Sequence, residues 1–548
     1  MSPPKPVVLI ILDGWGLAPE GPGNAVSLAK TPNLDQYWSV YPHTLLQASG
    51  EAVGLPTGEE GNSETGHLNL GAGQIVYQDL PRINLSIADG GFYEIPAFKA
   101  AANHVKKNQS KLHLMGLLGS GGVHSSINHL FALLHFAKEE GLKNVFLHLF
   151  TDGRDSPPTS ALTFLDQVEK EIRKVGIGQI ATICGRYYGM DRDHRWERTK
   201  KAYDVLVLGK GSQFSSCSEA IEKSYQAEIT DEFIEPVIIA DQANPPQGLV
   251  DDHDAVIFYN FRIDRPRQLT KAFVLPNFET LEIKKAAFDP YAEKYGLRLY
   301  QPPEGTTTFK RDRILKDLFF VTMAEYEKGL PVLVAFPPEA VKMPLARILS
   351  EKNLRQLHLA ETEKERFVTY YFNGQREAPF PGEDRIEIPS PDVPTYDQKP
   401  EMAAYEVTEE LLKRIKSNIY DFVVINYANP DMVGHTGVLE AGINACETVD
   451  QCLGKTVATI LNLGGVAIIT ADHGNAEEMI NLKTGEVDTK HSVNPIPFII
   501  LDKRFDHHGR FLAKGILADV APTILVLMGI RKPGLMSGKV LVDAKKNY

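Results

Sequence analysis

Aspartates and histidines recur beside apolar runs along this chain. Asp13 follows Val7–Leu12 and precedes Gly14. Asn429-Pro430-Asp431-Met432-Val433-Gly434-His435 follows Phe422–Tyr427. Asp472-His473-Gly474-Asn475 follows Val466–Thr470, and His491 stands just before Phe498–Leu501. Taken singly, such an acid is a turn or cap residue and such a histidine a core residue. Together they place three aspartates and three histidines at the ends of buried strands. In open α/β sheets, the carboxyl edge of the strands is where ligands bind. Carboxylate and imidazole without thiolate suit Mn²⁺, Zn²⁺, Fe²⁺ or Mg²⁺. Six such groups exceed one tetrahedral catalytic site. Two ions about 3.5–4 Å apart would use them all, an arrangement typical of phosphoryl transfer. Asp431 and His435 share one face if the segment is helical, although Gly434 leaves a loop equally open.

The candidate nucleophile is Ser63, in Gly61-Asn62-Ser63-Glu64-Thr65-Gly66-His67. It has no G-x-S-x-G context and no local triad. A metal could lower the pKa of its hydroxyl instead. Asn62 or Ser63 also reads as a helix cap, with Glu64 in the first turn. The two readings are compatible, because a helix N-terminus favours developing negative charge.

Arginines and aspartates cluster between these acid–histidine segments. They lie in His124-Ser125, Asp152-Gly153-Arg154-Asp155, Gly185-Arg186, Asp191-Arg192-Asp193 and Arg262-Ile263-Asp264-Arg265. Each arginine alone could be a surface ion pair with its neighbouring Asp. A repeated Arg/Asp dressing at strand ends suits a small polyanion, since guanidinium binds carboxylate and phosphate bidentately.

These residues need a scaffold of buried strands. Apolar runs at Val7–Leu12, Leu112–Leu118, Val145–Thr151, Ile180–Cys184, Val256–Tyr259, Val332–Phe336, Phe422–Tyr427, Val466–Thr470 and Phe498–Leu501 read as strands covered on both faces. Helical patterns at Asn128–Glu140, Thr159–Val175, Glu401–Ser417 and Glu440–Leu461 lie between them. Such alternation predicts α/β architecture with largely parallel sheets. The clustering of motifs predicts a discontinuous metal domain, 1–79 with 337–548, interrupted by a substrate domain, 80–336. Phe278–Lys316 reads as an insertion or exposed excursion. Gln375–Pro400, with six prolines, reads as a long ordered loop.

Bulk properties narrow the class. The chain has 548 residues and a net charge of −12, against a globally basic nucleic-acid binder. No apolar run approaches the ~20 residues of a membrane span, and the first is too short for a signal peptide. A cytoplasmic protein is expected. The four cysteines, Cys184, Cys217, Cys446 and Cys452, form no CxxC pair and read as incidental thiols.

The motifs around Asp13-Gly14, Gly61–His67, Asn429–His435 and Thr470–Asn475 resemble, in content and order, those of the cofactor-independent phosphoglycerate mutases of the alkaline phosphatase superfamily. The chain departs from the family pattern at Thr65, Ile263, Pro266 and Glu365-Arg366. The resemblance implies interconversion of 3- and 2-phosphoglycerate through phosphorylated Ser63, without 2,3-bisphosphoglycerate. One divalent ion would be held by Asp431, His435 and His491, the other by Asp13, Ser63, Asp472 and His473. It leans to Mn²⁺, with Zn²⁺, Co²⁺ or Mg²⁺ acceptable to the same donors. His124, Arg154, Asp155, Arg186, Arg192, Arg262 and Arg265 map onto substrate-binding positions. Lys364 maps onto a lysine near the phosphate. Asp155, beside Arg154, is the candidate acid/base for the glycerate hydroxyls. A monomer is implied, and the alternative is a metal-dependent phosphatase or sulfatase of the same superfamily.

Overall fold

The computed structural model describes residues 4–240, 246–281, 307–481, 484–504 and 512–542. Its strands, in chain order, are β1 Val7–Leu12, β2 His43–Gln47, β3 Leu112–Leu118, β4 Val145–Thr151, β5 Gln179–Gly185, β6 Ser212–Phe214, β7 Val237–Ile239, β8 Ala255–Phe258, β9 Phe319–Ala324, β10 Leu333–Phe336, β11 Gln356–Glu361, β12 Glu383–Ile388, β13 Phe422–Tyr427, β14 Val466–Thr470, β15 Ile496–Leu501 and β16 Gly515–Ile516. The chain divides into two compact units, Met1–Pro81 with Glu339–Tyr548, and Arg82–Pro338. Each has its own eight-stranded sheet. The α/β class expected from the alternating pattern is what forms.

The sheet of the discontinuous unit runs β12-β11-β13-β1-β14-β15-β2-β16. β12, β11, β13, β1 and β14 are mutually parallel. β15 is antiparallel to β14, with Thr470 opposite Phe498. β1 is central, pairing Val7 with both Phe422 and Val466. All six of its residues are fully buried, as a strand covered on both faces should be. The carboxyl ends of β1, β13 and β14 therefore come out together. Because β15 runs backwards, its start returns to that same edge. This is why the segment before β15, and those after β1, β13 and β14, can meet.

The sheet of the second unit runs β10-β9-β8-β3-β4-β5-β7-β6. β8, β3, β4 and β5 are parallel, and only β7 is antiparallel to its neighbour β5. Its core includes Met115, Phe150, Phe258 and Tyr326. A buried polar ladder crosses this sheet. Asp254 Oδ2 meets His113 Nε2 at 3.0 Å, His113 Nδ1 meets His148 Nε2 at 2.9 Å, and His148 Nδ1 meets Thr182 Oγ1 at 2.9 Å.

The helices form close to their expected places, at Ile127–Glu139, Ala161–Val175, Ala404–Lys416 and Leu439–Asn462. Gln375–Pro400 is not wholly a loop. Its middle forms β12, an edge strand whose ladder partner is β11. Of Phe278–Lys316, residues 282–306 lie outside the described residues. The flanks are tied to the unit's core: Arg311 is buried and reaches Glu279 at 2.8 Å, and Phe309 packs edge-on to Phe278. No described helix is long and apolar enough to cross a membrane.

Candidate active site

Ser63 opens the helix Ser63–Ala72. Asn62 adopts an extended backbone and caps it, its Oδ1 accepting Thr65 N–H at 2.9 Å. The helix ends at Gly73, whose φ of 63° is the left-handed conformation that favours glycine. The serine is buried, with Oγ 2.9 Å from His473 Nε2, 2.9 Å from Lys364 Nζ and 3.3 Å from Asp13 Oδ1. Gly66 lets this helix lie against the loop after β14; a Cβ there would fall 2.7 Å from Asp472 O.

Asp431 and His435 sit on and just past the short helix Asn429–Gly434, so their i,i+4 spacing does aim both at one point. His435 Nε2 and His491 Nε2 are each 3.3 Å from Asp431 Oδ1 and 3.1 Å from one another. Their other nitrogens face carbonyls, Thr489 O at 2.7 Å and Gly61 O at 2.8 Å. A carbonyl only accepts, so Nδ1 carries the proton in each neutral ring. The Nε2 lone pairs then converge on one another and on a carboxylate oxygen. That is a donor set for a cation. His473 Nε2 lies 3.3 Å from Asp472 Oδ2 and 3.7 Å from Asp13 Oδ1. Asp472 Oδ2 is buried and also lies 3.2 Å from His67 Nδ1. Asp431–His435–His491 and Asp13–Asp431–His473 each bring potential ligand atoms within 4.8 Å of one another.

Lys364, just past β11, donates to Asp13 Oδ1 at 2.6 Å and Asp431 Oδ2 at 2.7 Å. Burial opposes its charge, but Asp13, Asp431 and Asp472 outweigh burial and hold the ammonium above its ordinary pKa. Burial, reinforced by Asp472, pushes Asp13 up to about 7. Burial also opposes the charge of Asp431, yet Lys364, His435 and His473 hold it well below the carboxylate range. His473 and His491 are shifted down, chiefly by burial, which favours the neutral, ligating imidazole.

In the second unit, arginines gather at the carboxyl edge of β8, β3, β4 and β5. Arg186 is buried and its Nη1 donates to Asp152 Oδ1 at 2.5 Å and Asp155 Oδ2 at 2.6 Å. Asp155 thus pairs with Arg186 rather than with its sequence neighbour Arg154. The Arg154 side chain is 53% exposed and reaches Glu232 only at 4.0 Å. Arg192 and Arg262 both meet Asp264, at 2.6 and 3.2 Å. Arg265 Nη1 donates to Met190 O at 3.2 Å. His124 Nε2 is 3.7 Å from Asp155 Oδ2, and burial, then Arg186, pushes this imidazole down to about 3. Arg265 is brought down to about 10 by burial and the neighbouring Arg186 and Arg192. Buried Arg186 Nε and Arg265 Nε have no hydrogen-bond partner. Crowded cations with unspent donors favour an anion.

Comparison with known proteins identifies the family. Residues 83–328 match the family described as the N-terminus of BPG-independent phosphoglycerate mutase. The chain is 54% identical over 549 residues to the 2,3-bisphosphoglycerate-independent phosphoglycerate mutase of Chloroflexus aggregans, covering 99% of each. It belongs to that family. The Clostridium beijerinckii mutase is 51% identical over 542 residues, covering 99% of each chain. The structure also matches that of the Leishmania mexicana phosphoglycerate mutase solved at low cobalt concentration. There the TM-score is 0.55 and the identity 31%, over 99% of this chain and 98% of that one. Mutases of this family interconvert 3- and 2-phosphoglycerate without 2,3-bisphosphoglycerate, and that isomerisation is this chain's activity.

In this mutase several polar residues beyond the acids and histidines shape the cluster. Asn426, within the apolar run of β13, donates to Asp13 Oδ2 at 2.7 Å and lies 3.0 Å from His67 Nε2. His67 Nδ1 faces Ser63 O at 2.9 Å and Asp472 Oδ2 at 3.2 Å. Asn475 Nδ2 donates to Asp431 Oδ1 at 2.9 Å. A polar side chain inside an otherwise apolar strand was the available signal for Asn426. His67 and Asn475 lie within the motifs, but their types alone do not separate ligand from support.

Proposed function

We propose that Ser63 carries the phosphoryl group between the two hydroxyls of glycerate. The observation behind this is the placement of its Oγ against His473 Nε2, Lys364 Nζ and Asp13 Oδ1. An acid–imidazole cluster surrounds one alcohol at a helix N-terminus. Two divalent ions, when bound, would lower the pKa of that alcohol and offset charge developing on the phosphoryl oxygens. Asp431, His435 and His491 would hold one. Asp13, Ser63, Asp472 and His473 would hold the other. We assign both as Mn²⁺, following the family resemblance; the same carboxylate and imidazole donors also accept Zn²⁺, Co²⁺ or Mg²⁺.

Ser63 Oγ bonds to phosphorus as the bond from phosphorus to the 3-oxygen breaks. Lys364, poised 2.9 Å from Oγ, stabilises the negative charge in flight. His124, Arg154, Arg186, Arg192, Arg262 and Arg265 supply donors for the substrate carboxylate and phosphate. Asp155 returns a proton to the 3-oxygen and removes one from the 2-hydroxyl, so no net proton is consumed. Arg186, bound to both Asp152 and Asp155, fixes that carboxylate. The 2-oxygen then takes the phosphoryl group from Ser63. Hydrolysis of the phosphoserine must be slower than this return, so retained glycerate has to exclude water.

Ser63→Ala tests the reading. Mixed with labelled 3-phosphoglycerate, the variant should form neither acid-stable phosphoprotein nor 2-phosphoglycerate. Substantial mutase turnover in Ser63→Ala would refute the assignment. Accumulation of inorganic phosphate in the parent would instead favour a hydrolase. We further propose a cytoplasmic monomer. Its four cysteines are free and buried, in keeping with a reducing compartment. Gel filtration checks the oligomeric state.

A further inference from the structure

One buried carboxylate ties together three separate segments of the acid–histidine cluster. Glu477 lies in the short helical turn Ala476–Glu478 and is 3% exposed. Its Oε2 accepts the backbone N–H of Gly16 at 3.1 Å and that of Asn475 at 2.8 Å. Its Oε1 accepts the Ser492 hydroxyl and, at 3.1 Å, the Asn494 side-chain amide. Asp13 is followed closely by Gly16, His473 by Asn475, and His491 directly by Ser492. The segments after β1, after β14 and before β15 thus share one acceptor.

The fit around this carboxylate leaves no room. A Cβ on Gly16 would fall 2.2 Å from Glu477 Cδ, and one on Gly474 would fall 2.4 Å from its Oε1. A carboxylate offers about four lone-pair sites. Four donors occupy them here, so Glu477 has no capacity left to ligate an ion itself.

We propose that Glu477 is a positioning residue that sets the spacing between the two groups of metal ligands. The inference rests on the ligand assignment made above. Without this acceptor, buried backbone and side-chain donors on three segments lose their partner together, and each such loss is costly. The loops would relax to satisfy them elsewhere, carrying Asp13, His473 and His491 out of register. Supporting residues of this kind typically contribute about 10–100-fold to metal affinity or activity. None of Glu477's four partners belongs to the arginine cluster, so the effect should fall on metal binding and not on substrate affinity.

The test uses full-length, metal-stripped protein carrying Glu477→Gln, Glu477→Ala or Asp472→Ala beside the parent. Mn²⁺ binding is titrated calorimetrically, urea midpoints are taken without metal, and kcat and KM for 3-phosphoglycerate are measured at saturating Mn²⁺. Glu477→Gln should weaken Mn²⁺ binding at least tenfold, Glu477→Ala should weaken it further, and KM should stay within twofold of the parent. Mn²⁺ affinity within twofold of the parent in folded Glu477→Gln would overturn the proposal, even if its urea midpoint fell. Glutamine keeps the shape of the side chain, so that variant decides if Glu477→Ala does not fold. Parent-like Mn²⁺ affinity in Asp472→Ala would reject the ligand assignment itself, separately from the role of Glu477.

Discussion

At the scale of single residues, the discontinuous unit stores negative charge around one ammonium. Asp13 and Asp431 are fully buried or nearly so, and Lys364 bridges them at 2.6 and 2.7 Å. Breaking a buried ion pair from one side leaves an uncompensated charge, at about 3–5 kcal/mol. Lys364→Met should therefore destabilise the metal-free protein by roughly that amount in urea unfolding, and lower kcat by about 10²–10³-fold. A parent-like kcat in that variant would remove Lys364 from the phosphoryl-transfer machinery. The acids and histidines themselves were legible in the sequence because each stands at the end of an apolar run. Their partition between two ions came only from the family resemblance, because spacing along the chain does not say which strand ends are neighbours. Asn426, His67 and Glu477 were not singled out. For His67 and Glu477 the importance lies in bonds between distant segments, which no local pattern records; Asn426 shows locally only as a polar residue inside an apolar run.

At the scale of elements, the helix that begins at Ser63 is held by a cap and a close approach. Asn62 Oδ1 accepts Thr65 N–H, so Asn62→Ala should cost about 1 kcal/mol in urea unfolding. Gly66→Ala should cost more, because its methyl would meet the Asp472 backbone at 2.7 Å, and that backbone must move. If the two variants are equally stable, the close approach is not what fixes this helix. Most strands were legible because burial on both faces makes a continuous apolar run. β11 and β12 lack that signal because they carry polar and charged residues. β11 contains Gln356 and His358, both buried, the latter with Nδ1 2.6 Å from Val368 O. β12 alternates charge with isoleucine at a sheet edge, and surrounding prolines disguised it as a loop.

Across the whole molecule, pH acts through groups buried in their neutral form. His113, His129 and His148 have pKa values lowered chiefly by burial. Below about 6.5 the unfolded chain binds protons that these folded imidazoles do not. Their contribution to stability is therefore full above that pH and is lost as pH falls, by up to about 1.4 kcal/mol per pH unit for each histidine. Glu361 acts in the opposite sense. Burial raises it to about 7, so the folded state binds the extra proton between its ordinary value of 4.5 and that pH. Glu361 thus favours the folded state as pH falls through this window. Urea midpoints from pH 7.5 to 5 should separate the two. The dependence should become shallower in His148→Gln and steeper in Glu361→Gln, and identical slopes would contradict both assignments. Stripping the metal should abolish turnover, with Mn²⁺ restoring it; activity surviving exhaustive chelation would contradict the two-ion reading.

The central place of β1 has a consequence during synthesis. Val7 pairs with Phe422 and Val466, so a wholly buried central strand is made long before either neighbour exists. At about 5–20 residues per second, those neighbours leave the ribosome tens of seconds later. In the interval Val7–Leu12 is an unpaired, wholly apolar ribbon, while all of Arg82–Pro338 can emerge and collect its own core. The newborn chain should therefore depend on a holding chaperone at its leading end, and polar substitutions in β1 should relieve that dependence while ruining the finished sheet.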